Sequence, residues 1–83
     1  MAESMQVLVV EDSAADFLLL QRELRQQQLD ARCERVASDA ALVEALRDPW
    51  DVVLADYNVP GMDFLATLEL LRRHDALLPV ILV

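Results

Sequence analysis

The sequence predicts an α/β domain built on a parallel sheet, and three observations carry that reading. Short apolar runs without polar alternation, "VLVV" at residues 7–10, "VVLA" at residues 52–55 and "VILV" at residues 80–83, recur between stretches of helical spacing. A strand that lacks a polar face is covered on both sides, as in parallel sheets sandwiched by helices. The connections are short, so strand and helix alternate in right-handed crossovers. Two of the apolar runs end directly on acids, Glu11-Asp12 and Asp56, and the carboxyl ends of strands are where such sheets bind ligands.

Each element has its own signal. After "VLVV", Phe17, Leu20 and Leu24 fall at i, i+3 and i+7, with Arg22, Glu23 and the Arg25-to-Gln28 stretch on the opposite side. Ser13 followed three residues on by Asp16 has the form of a capping box at the start of this helix. "ARCERVAS", residues 31–38, alternates weakly and fits an edge strand with one wetter face. Ser38 then caps a short helix with an apolar face of Ala41, Leu42, Ala45 and Leu46, ended by Asp48 and Pro49. The third strand, "VVLA", follows Trp50, whose ring is expected to pack on the strand's flank. Beyond a Pro60-Gly61 turn, Phe64, Leu68 and Leu71 mark a third helix with Arg72, Arg73 and His74 in its last turn, where positive charge suits the helix dipole. Pro79 introduces the final apolar run. The predicted order is β-α-β-α-β-α-β.

Composition bounds the function. In 83 residues there is room for one small domain. Apolar residues make up 55% and mean hydropathy is +0.27, high for a domain with so much surface, so part of that surface is expected to be hidden against something else. Fifteen acids against seven bases, all of them arginine, leave a net charge of −8. This acidity argues against binding nucleic-acid phosphates or anionic membranes. Cys33 stands alone, which excludes an internal disulfide; it reads as a small strand hydrophobe, and a reducing compartment fits. "MAESMQ" lacks the basic start of a signal peptide, and no apolar run reaches the roughly 20 residues of a membrane span. A cytoplasmic location is the expectation.

The acids at the strand ends define the candidate site. If the first and third strands are neighbours, Glu11, Asp12 and Asp56 meet at one corner of the sheet. Three like charges at close range raise one another's pKa values, and a divalent cation removes that penalty. An all-oxygen set suits Mg²⁺ or Mn²⁺, and no Cys/His cluster offers a zinc site. The plainer alternative is that Asp12 or Ser13 serves only as a helix cap. His74 and the arginines at 22, 25, 72 and 73 read as solvated helix positions.

"VLVVEDS", "VVLADYNVPGMD" and "LPVILV", in this order and spacing, resemble the receiver domain of two-component response regulators over essentially the whole chain. The resemblance implies a flavodoxin-like sheet of order 2-1-3-4-5, with residues 1–83 its amino-terminal portion, β1-α1-β2-α2-β3-α3-β4, lacking α4-β5-α5. It implies that Asp56 is the phosphoacceptor, taking a phosphoryl group from a sensor histidine kinase or phosphotransfer protein. Asp12 and Asp56 would bind Mg²⁺ through carboxylate oxygens, Glu11 through water and Asn58 through its main-chain carbonyl. Catalysis would be limited to self-phosphorylation and autodephosphorylation.

The chain departs from the family pattern in several places. Val59 stands where Met usually precedes the proline, and Phe64 where glycine usually follows the "GMD" aspartate. No lysine is present to balance phosphoryl charge, and the chain stops at Val83, where the family's Ser/Thr would follow. The expectations that follow are an exposed fourth-strand edge, a half-bare sheet face and self-association through them. Two other functions compete: a degenerate or truncated receiver acting only as an interaction and dimerisation module, and a phosphohydrolase of the haloacid-dehalogenase type. The latter needs a second aspartate where this chain has Asn58.

Overall fold

The computed structural model describes residues 4–83; part of "MAESMQ" lies outside them. Four parallel strands alternate with three helices: β1 (Met5–Val10), α1 (Ala14–Gln26), β2 (Ala31–Val36), α2 (Asp39–Ala45), β3 (Val52–Ala55), α3 (Phe64–His74) and β4 (Val80–Leu82). The strand order is β2-β1-β3-β4, so β1 and β3 are central neighbours, as the two acidic strand ends require. β2 and β4 are the edges, which accounts for the weak alternation and the exposed positions of β2.

The helices cover the two faces unequally. On one face Leu8, Val10, Val53 and Ala55 pack with Leu42 of α2 and Leu71 of α3 in the larger core cluster. On the other, Val7, Val9 and Leu54 lie beneath Phe17 and Leu20 of α1. No residue of α1 is itself fully buried, because its apolar stripe caps a face without a second helix beside it. Register explains where cover ends. Leu54 pairs with Ile81; Leu54 is buried, yet Ile81, Leu82 and Val83 are 51%, 56% and 60% exposed. The expected bare face and open β4 edge are both present.

Local chemistry sets the ends of each helix. Ser13 accepts a hydrogen bond from the Asp16 N–H at 3.1 Å, the forward half of the expected capping box. The return half is made differently: the Ser13 N–H donates to the Glu11 carboxylate at 3.3 Å. α1 closes through a left-handed residue, Gln28 with φ 61°, and the Leu29 N–H reaching back to the Leu24 carbonyl at 3.0 Å. α2 stops at Ala45, short of Pro49, and the Trp50 indole N–H donates to the Ala45 carbonyl at 2.8 Å. Trp50 therefore does more than flank β3: with the Asp48 N–H, which donates to the same oxygen at 3.1 Å, it ties down the Ala45 carbonyl at the helix end.

α3 starts on Asp63, whose carboxylate accepts from the Leu65 and Ala66 N–H groups at 2.9 and 3.2 Å. Its buried face includes Thr67, whose hydroxyl donates to the Asp63 carbonyl at 2.9 Å. Asp63→Ala is expected to lose about 1 kcal/mol of stability, while Asp63→Asn, an equally good cap, stays near wild type. Urea denaturation of both variants reads the difference; equal losses would mean that the cap is not the source. Cys33 is half-buried against the smaller core cluster, and that burial raises its thiol pKa. His74 is exposed at the end of α3, and Arg73 pairs with Glu69 at 2.6 Å on the exposed face of the same helix.

Candidate functional site

Parallel pairing of β1 and β3 brings two strand ends to the same level. Val10 is in register with Ala55, so the next residues, Glu11 and Asp56, leave the sheet side by side. The ladder continues one step into both: the Asp56 N–H donates to the Val10 carbonyl at 2.9 Å and the Glu11 N–H to the Val36 carbonyl at 3.0 Å. The acids thus spring from backbone that belongs to the sheet. Glu11, Asp12 and Asp56 each present a carboxylate oxygen, and the three oxygens lie within 4.8 Å of one another. Asp12 is exposed; Glu11 and Asp56 are half-buried.

Electrostatics records the crowding. Burial first, then hydrogen bonding to Asp56 and Asp12 and repulsion from Asp56, raise the Glu11 pKa, against the Ser13 N–H, which favours the charged form. A divalent cation would offset both the repulsion and the desolvation. Three hard oxygens, with Asp12 open to water, fit Mg²⁺ or Mn²⁺.

The loop after β3 is held from inside. The Asn58 N–H donates to Asp56 Oδ1 at 3.0 Å, which orients the carboxylate. Val59 is buried in the larger core cluster, filling by apolar volume the place where a longer side chain was expected. Residues 59–62 form a β-turn closed by the Met62 N–H on the Val59 carbonyl at 3.1 Å. Pro60 leads it and Gly61 takes φ 81°, the type II geometry that the Pro-Gly pair favours. Phe64 packs its ring on Tyr57, with centroids 5.0 Å apart, beside Asp56.

Two neighbours of the acids were not singled out by sequence reasoning. Asp16 lines, with Val9, Glu11, Leu20, Asp56 and Val83, a cavity of about 290 Å³ beside the site; its only sequence signal was as a cap partner. Arg35, at the end of β2, donates from Nη1 to the main-chain carbonyls of Glu11 and Asp12 at 3.3 and 3.4 Å. An arginine on an edge strand has no distinguishing pattern, since only the β1–β2 register brings it there.

The family model described as the response regulator receiver domain matches residues 7–83. The chain belongs to that family. Among curated relatives, this receiver domain is 36% identical over 78 residues to the DNA-binding transcriptional regulator NtrC of Escherichia coli K12, covering 93% of the chain and 16% of NtrC. It is 33% identical over 81 residues to the sensor histidine kinase GacS of Pseudomonas protegens, covering 90% of the chain and 9% of GacS. The chain thus spans only a small part of either relative's length. The receiver domain of the TMAO respiratory response regulator TorR superposes with a TM-score of 0.79 at 26% identity, over 94% of this chain and 63% of that one. The receiver domain of the sensor histidine kinase PA1611 from Pseudomonas aeruginosa, with magnesium coordinated in its active-site cleft, has the same fold, with a TM-score of 0.80 at 24% identity over 96% of this chain and 66% of its own. The receiver fold is flavodoxin-like, and the order β2-β1-β3-β4 matches its first four strands.

Proposed function

We propose that this receiver domain accepts a phosphoryl group on Asp56 in a two-component phosphorelay. The observation that carries the proposal is the meeting of three carboxylate oxygens within 4.8 Å at the ends of two adjacent parallel strands. Asp56 is the nucleophile: its carboxylate oxygen forms the new O–P bond as the donor's bond to phosphorus breaks and the leaving group departs. The Asn58 N–H on Asp56 Oδ1 orients the attack. Glu11, through water, Asp12, Asp56 and the main-chain carbonyl of Asn58 hold the cation. Bound there, Mg²⁺ or Mn²⁺ supplies charge neutralisation between two anionic reactants.

The donor in the cell is a sensor histidine kinase or phosphotransfer protein, and the place of action is the cytoplasm. Self-phosphorylation and autodephosphorylation at Asp56 are the extent of the catalysis. Incubation with acetyl phosphate and Mg²⁺, followed by intact-mass analysis, is expected to show one added phosphoryl group, and none when EDTA removes the metal. A folded protein that takes up no phosphoryl group would overturn the proposal.

A second reading, that the chain acts through self-association alone, is favoured by one feature: β4 offers an unpaired edge beside exposed Ile81, Leu82 and Val83. Such an edge pairs with another strand. Light scattering at high concentration is expected to give about twice the 9.4 kDa chain mass. A compact monomer would exclude pairing through this edge.

A further inference from the structure

We propose that Arg35 is a positioning residue for the cation site, clamping the turn that carries Glu11 and Asp12. This inference rests on the reading of that corner as a divalent-cation site. The turn between β1 and α1 must hold two adjacent acids still while both repel Asp56. Most of it is anchored. The Glu11 N–H is tied to β2 by the Val36 carbonyl at 3.0 Å, and Ser13 is tied into α1 by the Phe17 N–H on its carbonyl at 3.0 Å. Asp12 lies between these anchors, and it is the Arg35 guanidinium that donates to its carbonyl, sharing Nη1 with the carbonyl of Glu11.

The choice of acceptor is informative. An arginine among three carboxylates ordinarily pairs with one of them, and among the described residues the ion pairs, Arg47–Glu44 and Arg73–Glu69, are elsewhere. Arg35 bonds to main-chain oxygens instead, so it occupies none of the carboxylate oxygens that Glu11 and Asp12 bring to Asp56. All seven basic residues of the chain are arginines, and Arg35 is the one whose side chain bonds to this turn. Register secures the placement, since Arg35 stands opposite Val9, two residues before Glu11.

Two effects of Arg35 on a bound cation have opposite signs. Its positive charge repels the metal, so deleting the charge alone would tighten binding. Its clamp holds two ligands in place, so deleting the bonds would loosen it. Removing a group that orients metal ligands commonly weakens the metal by about tenfold or more. We assign the larger effect to the clamp. The side chain is exposed, so its removal leaves the core intact.

The test is calorimetric titration with Mg²⁺ of wild type, Arg35→Met and Arg35→Lys, each checked for fold by circular dichroism. Arg35→Met is expected to bind Mg²⁺ about tenfold more weakly, with Arg35→Lys, whose ammonium can still donate to both carbonyls, keeping most of the affinity. Arg35→Met binding as tightly as wild type, or more tightly, would overturn the clamp while leaving the cation site standing. Equal weakening in both variants would also overturn it, since the donated bonds would then not be the cause. Wild type that fails to bind Mg²⁺ would overturn the cation-site reading itself, and the clamp with it.

Discussion

Asp56→Asn is expected to abolish phosphoryl uptake from acetyl phosphate while leaving the fold unchanged. The substitution is nearly isosteric, and the amide oxygen can still accept the Asn58 N–H that Asp56 Oδ1 accepts at 3.0 Å. The strand-end bond from the residue 56 N–H to the Val10 carbonyl, 2.9 Å, is main chain and unaffected. What disappears is the anionic oxygen able to attack phosphorus, and with it one of the three carboxylates that would hold the cation. Intact-mass analysis should therefore show no adduct, against one phosphoryl group on wild type, and circular dichroism should show no change. An adduct of equal size on the variant would move the acceptor to Glu11 or Asp12, the other carboxylates at this corner.

Leu8→Ala is expected to have the largest effect on stability. Leu8 sits on the central strand β1, 0% exposed, in the cluster that joins α2 and α3 to the sheet. Truncation removes buried methyl and methylene groups and leaves a cavity that neighbours such as Val53, also 0% exposed, cannot fill without moving β3. Such substitutions cost about 2–5 kcal/mol. A small domain of 83 residues holds only about 4–12 kcal/mol in total, so the variant should unfold at a much lower urea concentration. A midpoint shift corresponding to less than about 1 kcal/mol would mean that the site collapses around the cavity.

Much of this fold was legible because its signals are local. Ser13 and Ser38 announced two helix starts by their capping chemistry, and Pro60-Gly61 announced a turn whose geometry follows from the proline's fixed φ and glycine's freedom at φ 81°. Asp63 could have been read the same way, as a cap immediately before a helical stripe. Thr67 was less accessible: a polar residue on the buried face of α3 is tolerated because its hydroxyl bonds the Asp63 carbonyl, and hydrophobic spacing has no term for that. The end of α2 at Ala45 was missed for a related reason, since the indole that donates to the helix's last carbonyl comes from five residues along the chain.

By itself the sequence determined the alternation of strands and helices, the two acidic strand ends and the membership in the receiver family, because periodicity, caps and motif spacing act over a few residues. Only the tertiary structure decided which residues meet. The order β2-β1-β3-β4 set β1 beside β3 and so gathered Glu11, Asp12 and Asp56 within 4.8 Å. The same order put Arg35 against the turn between β1 and α1, and left Ile81 open while its register partner Leu54 is covered. Residues more than 20 positions apart become neighbours only through strand register, since the ladder of backbone hydrogen bonds is what aligns one strand with the next.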